Sequence, residues 1–497
     1  MGKHTISQHL EENQKRIEDT FAACKDLVIL PWRYGSGLEH AAFSVYFDTL
    51  VQDKKFNYMK ETLQDLVSHE VGPGEDITPE DIIHFFDRNG VSAQSSAVIE
   101  HYDQAVQHIL NGNVVIFFDK WNHALSYPAL GLEMRQISEP ITEPVVQGPH
   151  MSTIEDLGKN IGLIRSLLKS PKLKFAMLTV GAESKRVIAY GYLDGAVNPE
   201  TLDDFRRRIE QIGEEEVLET SYLEEWIEES AYSPFPQARY TERPDAAVAS
   251  LLDGKIIALV NGTPTILICP SKFFEFFSAT EDYYQRAVFS SLIRQLRFSA
   301  FLMALLLPSI YIALSTFHSE LLPTVLLLAI LDTREGIPFP AFVEALIMEF
   351  FFELLREAGI RLPRPIGSAV SIVGALVIGQ AAIQAKIASP VMVIIVSLTG
   401  IASFALPQYS MAVALRIMRF PLMILAATLG GLGIMFGLIL AFLHLASLRT
   451  LGQPYLSPVA PLDIKQWRDV FLIFSRKTLL QSPRNRHLHR KTGGRSK

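Results

Sequence analysis

Long apolar runs dominate residues 298–447, whereas charged and polar residues are mixed through the sequence before them. A helix needs about 20 consecutive apolar residues to cross the hydrocarbon core of a bilayer, and residues 298–317 reach this length. Charged residues still make up 20% of the 497-residue chain, so it fits neither a simple soluble enzyme nor a fully embedded transporter. The sequence predicts a soluble region followed by an α-helical transmembrane domain.

The segment after Ile464 is strongly basic, and its lysines and arginines face a single acidic residue, Asp469. Beside a membrane domain, such a segment is typical of a cytoplasmic tail attracted to anionic lipids, and we favour membrane lipids over nucleic acid as its partner. The first 16 residues lack the apolar core of a signal peptide, so we expect the soluble region to stay in the cytoplasm.

The soluble region contains an internal similarity. Residues 109–128 align without a gap on residues 251–270, and this alignment matches Gly112 with Gly254. In each segment a helix end precedes a buried apolar strand, a turn and a second strand. The similarity predicts a duplicated domain, with chance resemblance of two strand-turn-strand segments as the alternative.

Predicted strands and helices alternate along the soluble region, which is typical of an α/β fold. We therefore expect two similar tandem α/β lobes ahead of the transmembrane domain. The predicted boundaries are an N-terminal helix at 1–26, a first lobe at 27–139, a linker at 140–152, a second lobe at 153–290, a transmembrane helical domain at 298–447 and a basic cytoplasmic tail at 448–497.

Neither lobe carries a glycine-rich phosphate loop, a nucleophile motif or a cluster of metal ligands, so we expect no enzyme activity. Cys24 and Cys269 provide neither a disulfide framework nor metal-site spacing, and we expect no cofactor or metal. Asp48 and Asp194 follow predicted strands and are interpreted as turn residues. A cleft between the lobes would suit a ligand, but we favour an assembly platform.

An acidic helix is predicted at residues 337–357. At 100° per residue, Glu349 and Glu353 share a face with Arg356, while Glu344 projects from the other side. One arginine cannot neutralise all these carboxylates within the helix. The pattern predicts either an amphipathic helix in the membrane interface or a cation vestibule formed by Glu344, Glu349 and Glu353.

The next helix, at residues 367–385, has two dissimilar faces. Its small residues suit close helix packing; they include Gly367, Ser371 and Gly374. An aliphatic pair followed by two amides lies opposite, at Val373, Val377, Gln380 and Gln384. This second face is typical of a pore lining with a dewetting constriction, although the glutamines would also suit hydrogen bonds within an inert bundle.

Three other apolar segments carry structural signals. Pro308 should leave a main-chain carbonyl that a neighbouring helix must satisfy. Residues 321–331 are too short for a straight crossing and predict a broken or re-entrant segment. Residues 420–447 predict one long helix, in which Gly433 and Gly437 permit a close helix contact.

Several long motifs resemble the GerA family of bacterial spore germination proteins, in particular the A subunits of germinant receptors. These motifs are SPFPQARYTERPD, SATEDYYQR, TREGIPFP, REAGIRLPRPIGSAVSIVGALVIGQAA and ASPVMVIIVSLTGIASFALP. The resemblance covers residues 153–461 and is much weaker in the first lobe. A SpoVAF-type branch of the family, which amplifies ion release, is also compatible with these motifs.

The resemblance implies a multi-pass protein of the spore inner membrane with its N-terminal domains in the spore core. It also implies a homo-oligomer, a pentamer, that releases monovalent cations in response to nutrients. The implied partners are a transporter-like B subunit and a lipoprotein C subunit. The resulting hypothesis is a ligand-gated channel subunit, and its alternative is a sensor or scaffold that binds germinant in the lobes without conducting ions.

Overall fold

A computed structural model describes residues 5–34, 38–51, 96–131, 140, 142–362, 364–462, 467 and 470–473, with the backbone alone for residues 364–373. The chain divides into two compact units. The first, here called the sheet unit, contains Met1–Glu228 and Tyr240–Pro270. The second, the helical unit, contains Glu229–Arg239 and Ser271–Leu480.

The sheet unit contains two lobes, each built on a five-stranded sheet. The elements of the first lobe are α1 (Leu10–Thr20), β1 (Leu27–Tyr34), β2 (His40–Phe47), β3 (Ala97–Ile99), α2 (Tyr102–Leu110), β4 (Asn113–Phe118) and β5 (Ala124–Pro128). The elements of the second lobe are α3 (Leu157–Leu167), β6 (Leu173–Val180), β7 (Arg186–Leu193), α4 (Pro199–Glu210), α5 (Ser221–Ile227), β8 (Arg239–Thr241), α6 (Pro244–Leu252), β9 (Ile256–Val260) and β10 (Ile266–Cys269).

The two sheets have the same topology. Their strand orders are β1-β2-β4-β5-β3 and β6-β7-β9-β10-β8, so each strand has a counterpart five strands later in the chain. Pairings such as β1 with β2 and β6 with β7 are antiparallel. The prediction of two similar tandem lobes is therefore confirmed.

A glycine ends the same helix in each lobe. Gly112 follows α2 with φ +82°, and Gly254 follows α6 with φ +80°. Left-handed conformations of this kind terminate helices and suit glycine because it lacks a Cβ. Each glycine turns the chain from its helix into the next strand, β4 or β9. The two glycines that align in sequence therefore have the same structural role.

Apolar side chains cover the sheets. In the first lobe, Phe43 and Phe117 pack with residues of α1 and α2 on one face, while Ile116 and Phe118 belong to a cluster on the other. The strands of the second lobe pack on α3 and α6. Burial of β4 on both faces explains its continuous apolar run.

The helical unit contains mostly long apolar helices. They are α7 (Ala287–Thr316), α8 (Thr324–Arg334), α9 (Ala341–Arg361), α10 (Arg364–Gln384), α11 (Pro390–Phe404), α12 (Tyr409–Leu429) and α13 (Gly431–Ser447), followed by the short strands β11 (Arg449–Thr450) and β12 (Gln453–Pro454). Helix α7 is central, because it contacts α9, α11, α12 and α13. Within the described residues, α7 and α12 are long and apolar enough to cross a membrane.

The prediction of one helix over residues 420–447 was wrong. The chain breaks at Gly430, which has φ +60°, and α13 returns along α12. A Cβ at residue 430 would lie 2.9 Å from the Cβ of Phe317, so the turn requires glycine. The uninterrupted apolar sequence concealed this turn because it contains no polar turn residue.

The predicted domain boundaries stay predictions, and we propose two changes to them. Ile17 of α1 is fully buried in the core of the first lobe, so we assign α1 to that lobe. Residues 271–290 fall in the helical unit, so we end the second lobe at Pro270. Most of the predicted basic tail lies outside the described residues.

Candidate functional site

Helix α9 carries the acidic residues, and the first of them, Glu344, is fully buried. Its Oε1 lies 3.0 Å from Nη2 of Arg334 on α8, and its Oε2 accepts a 2.9 Å hydrogen bond from the main-chain N–H of Ser389. Ser389 in turn caps α11, because its Oγ accepts from the N–H of Met392. Glu344 therefore joins α8, α9 and the start of α11.

Glu349 is also buried, with 4% of its surface exposed. Arg419 of α12 donates to its Oε2 through Nη1 at 2.6 Å, and donates through Nε to the carbonyl of Ala304 on α7 at 2.9 Å. That carbonyl lies four residues before Pro308, which has no N–H to offer it. The prediction that a neighbouring helix must satisfy the carbonyl freed by Pro308 is confirmed.

Glu353 is different, because its side chain is 49% exposed. It pairs with Arg356 on its own helix and, at 3.0 Å, with Nη1 of Arg416 on α12. The guanidinium of Arg416 also lies 5.5 Å from the ring centre of Tyr409. Of the three predicted vestibule residues, Glu353 alone has a carboxylate accessible to solvent in the described chain.

Arginines on other helices supply the charges that α9 lacks. The spacing within α9 alone gave no sign of these partners on α8 and α12. A signal existed, because Glu349 and Glu353 are four residues apart while Arg416 and Arg419 are three apart in another apolar helix. Complementary spacings of this kind permit two cross-links between neighbouring helices.

Helix α10 has one packed side and one open side. A Cβ at Gly374 would lie 2.7 Å from a methyl carbon of Leu355 on α9, and Ala382 is 4% exposed. Val377 is 56% exposed, and Gln380 and Gln384 are exposed as well. The amide face thus points away from the helical unit. The side chains of three other predicted site residues lie outside the described residues: Gly367, Ser371 and Val373.

The glycines of α13 face α12. A Cβ at Gly433 would collide with the carbonyl of Leu425, and one at Gly437 would collide with the side chain of Leu422. The two helices can approach this closely because neither glycine has a side chain.

A buried ion pair joins the two lobes of the sheet unit. Asp26, from the turn before β1, accepts a 2.6 Å hydrogen bond from Nη2 of Arg165 on α3, and both side chains are buried. The guanidinium lies 4.0 Å from the ring centre of Phe47. Beside it, burial raises the pKa of the Cys24 thiol. The ion pair is therefore shielded from solvent.

Asp48 and Asp194 each begin a turn after a strand, β2 or β7. In the part of the chain that the structure describes, no group of three His, Cys, Asp or Glu residues is placed to hold a metal ion.

Comparison with known proteins gives a consistent result. A model of the Bacillus/Clostridium GerA spore germination protein family matches residues 15–485. The chain is 41% identical to the membrane protein YfkQ of Bacillus subtilis (strain 168), over 94% of this chain and 89% of the relative. It is 40% identical to spore germination protein KA of the same organism, over 93% and 84%.

Two further proteins are similar to this chain. Spore germination protein GerLA of Bacillus cereus is 36% identical and covers 97% of both chains. A crystal structure of the N-terminal domain of the A subunit of the Bacillus megaterium spore germinant receptor GerK3 matches with a TM-score of 0.43 and 23% identity, over 55% of this chain and 99% of that chain. From the family match and these relatives, the chain belongs to the GerA family of spore germination proteins.

Proposed function

We propose that this protein is the channel-forming A-type subunit of a germination complex, and that its oligomer releases monovalent cations in response to nutrients. The observation that carries the proposal is the exposed amide face of α10, with Val377, Gln380 and Gln384 directed away from the unit. Amides facing acyl chains lose their hydrogen bonds at a high cost. In a membrane, this face therefore meets water or another copy of the chain.

The same face supplies the parts of a conduction path. Val377, with Val373 one turn before it, forms the dewetting constriction, and the amides of Gln380 and Gln384 hydrogen-bond to permeating water. Glu353 has a half-exposed carboxylate, but Arg356 and Arg416 both pair with it, so it adds no net negative charge to this path. Glu344 and Glu349 hold the helices together through their arginine partners.

The proposal also covers the membrane, the orientation and the partners of this subunit. We place the chain as a multi-pass protein in the spore inner membrane with its sheet unit on the spore-core side. It assembles as a pentamer with a transporter-like B subunit and a lipoprotein C subunit. Support comes from two relatives described as spore germination proteins and from the two helices long enough to span a membrane.

Potassium flux through liposomes that contain the purified protein tests the pore. A bulky ring in the constriction should block water and ions, so Val377→Trp should abolish the flux. Leu376→Trp is the matched control, because residue 376 is 60% exposed but lies about 100° around the helix. Equal flux in the two variants and in the unmodified protein would remove α10 from the pore.

Thiol labelling gives a second measurement that does not depend on flux. Cysteines introduced at Gln380 and Gln384 should react with hydrophilic reagents, whereas a cysteine at Ala382, which is 4% exposed, should not. If all three positions are unreactive in both the resting and the triggered state, the water-filled path is wrong and a scaffold role is favoured.

A further inference from the structure

The two lobes can be aligned through a shared hydrogen-bond motif. In α1, the side chain of buried Asn13 accepts from the N–H of Ser7 at 3.0 Å and donates to its carbonyl at 2.7 Å. In α3, Asn160 makes the same two bonds with Ile154. A residue of α1 therefore corresponds to the residue of α3 that lies 147 positions later, which pairs Glu18 with Arg165.

The turns before the first strands correspond in the same way. The N–H of Asp48 donates to the carbonyl of Asp26 at 3.0 Å, and the N–H of Asp194 donates to the carbonyl of Lys172 at 2.9 Å. Strands β1 and β6 begin at Leu27 and Leu173, so the turns and strands are separated by 146 positions, one fewer than α1 and α3. Lys172 is thus the counterpart of Asp26.

The contact between the lobes is asymmetric. The first lobe contributes the turn that carries Asp26, and the second contributes α3 with Arg165 and the edge strand β6. The N–H of Lys25 completes the contact by donating to the carbonyl of Phe175 on β6 at 3.0 Å. Because the two faces differ, this heterologous contact uses one face of each lobe. At its border, Lys174 of β6 donates to the carbonyl of Thr20 at the end of α1, and Lys169 donates to Asn111. Outside these bonds lie two faces, one around Glu18 on α1 with the edge strand β1, and one around Lys172 in the turn before β6.

On each of these two faces, the side chain at the corresponding position has the opposite charge to its counterpart in the contact between the lobes. Lys172 stands where Asp26 stands, Glu18 stands where Arg165 stands, and both side chains are exposed. The charges that form the ion pair between the lobes therefore recur on these two faces with reversed polarity. β1 is an edge strand, as β6 is, and an edge strand offers unpaired main-chain groups to a partner.

Two neighbouring residues refine the correspondence. Ser170 occupies the position of Cys24, whose thiol donates to the carbonyl of Leu173, and a serine hydroxyl can make the equivalent bond. Pro171 occupies the position of Lys25 and has no N–H, so the main-chain bond to β6 has no counterpart. A contact built from these faces is weaker than the contact between the lobes of one chain.

We propose that the second lobe of one copy docks on the first lobe of the next, with Lys172 paired to Glu18. The turn before β6 lies on α1 and β1 of the neighbouring copy. This inference rests on the proposed oligomer and names the surface through which its sheet units join. A head-to-tail contact of this type closes into a ring when the rotation between copies permits.

Cross-linking between two differently tagged full-length chains tests the contact. A chain with Glu18→Cys is co-expressed with a chain that carries Lys172→Cys, and the membranes are oxidised. We expect a disulfide-linked dimer that carries both tags. The control pair is Glu200→Cys with Arg207→Cys, two exposed positions on α4, which should give no such dimer. Absence of the 18–172 dimer from oligomers seen by native mass spectrometry would overturn the docking proposal.

Charge reversal provides an independent readout, because exposed single substitutions leave each lobe folded. Glu18→Lys alone and Lys172→Glu alone should each weaken association of the detergent-solubilised protein by more than about tenfold, the effect of opposing like charges in an interface. The double variant should recover it. Oligomers and potassium flux that survive all three variants refute this surface and leave the proposed channel intact. A monomeric, non-conducting unmodified protein refutes both.

Discussion

The buried pair of Asp26 and Arg165 provides a quantitative test of how the two lobes are held together. Arg165 donates to both carboxylate oxygens of Asp26, and Thr49 adds a 3.2 Å bond to one of them. Arg165→Met keeps most of the side-chain volume over Phe47 but removes the counter-charge. The carboxylate would then be buried with Thr49 as its remaining side-chain partner.

Removing one member of a buried ion pair costs about 3–5 kcal/mol. For a folding unit of this size, each kcal/mol lowers the melting temperature by about 2–4 °C. Arg165→Met should therefore lower the melting temperature of the sheet unit by about 6–20 °C. The double variant Asp26→Leu with Arg165→Met removes both charges and should stay within about 4 °C of the unmodified protein, because a well-packed apolar pair replaces a buried ion pair at little cost.

Thermal unfolding of the full chain in detergent, followed by tryptophan fluorescence, measures these shifts. Arg207→Met is the control, because this arginine pairs with Asp204 while its side chain remains 69% exposed; exposed pairs contribute about 1 kcal/mol or less. A shift for Arg165→Met no larger than that for Arg207→Met would refute the reasoning. A double variant as unstable as Arg165→Met would show that shape, rather than charge, is responsible.

Three further predictions use the same unfolding assay. Gly430→Ala should destabilise the helical unit by about 1–3 kcal/mol, because the positive φ disfavours a side chain. Glu349→Gln should cost about 3–5 kcal/mol by leaving Arg419 buried without a counter-charge, whereas Glu353→Gln, at a half-exposed position, should cost about 1 kcal/mol or less. Burial lowers the pKa of His108, so the unfolded chain binds its proton first and stability should fall as the pH drops below about 6.5; the curve for His108→Asn should be flatter.

Local sequence patterns predicted the parts of the fold that depend on neighbours in the chain. The gapless alignment of residues 109–128 with residues 251–270 identified β4, β5, β9 and β10, because strand length and glycine turns are set within a few residues. Pro308 likewise predicted a free carbonyl, because the missing N–H is a property of proline itself.

Features that depend on which helices meet could not be predicted in this way. The partners of Glu344 and Glu349 lie on α8 and α12, and nothing in the spacing of α9 alone selects those helices. The break at Gly430 was missed for another reason. Glycine permits both close helix packing and a sharp turn, and apolar residues surround all four glycines between residues 430 and 437.

The buried charges of the helical unit suggest which of its helices form the fixed frame. Arg419 joins three helices, because it bonds to Glu349 on α9 and replaces the hydrogen bond that Pro308 removes from α7. Separating them would leave a buried charge and a main-chain carbonyl unpaired, which is costly in an apolar environment. Helix α10 contacts α9 through small residues such as Gly374 and keeps its amide face free. The helices α7, α9 and α12 are therefore costly to separate, and in the proposed channel we expect the movement that opens the path to occur at α10.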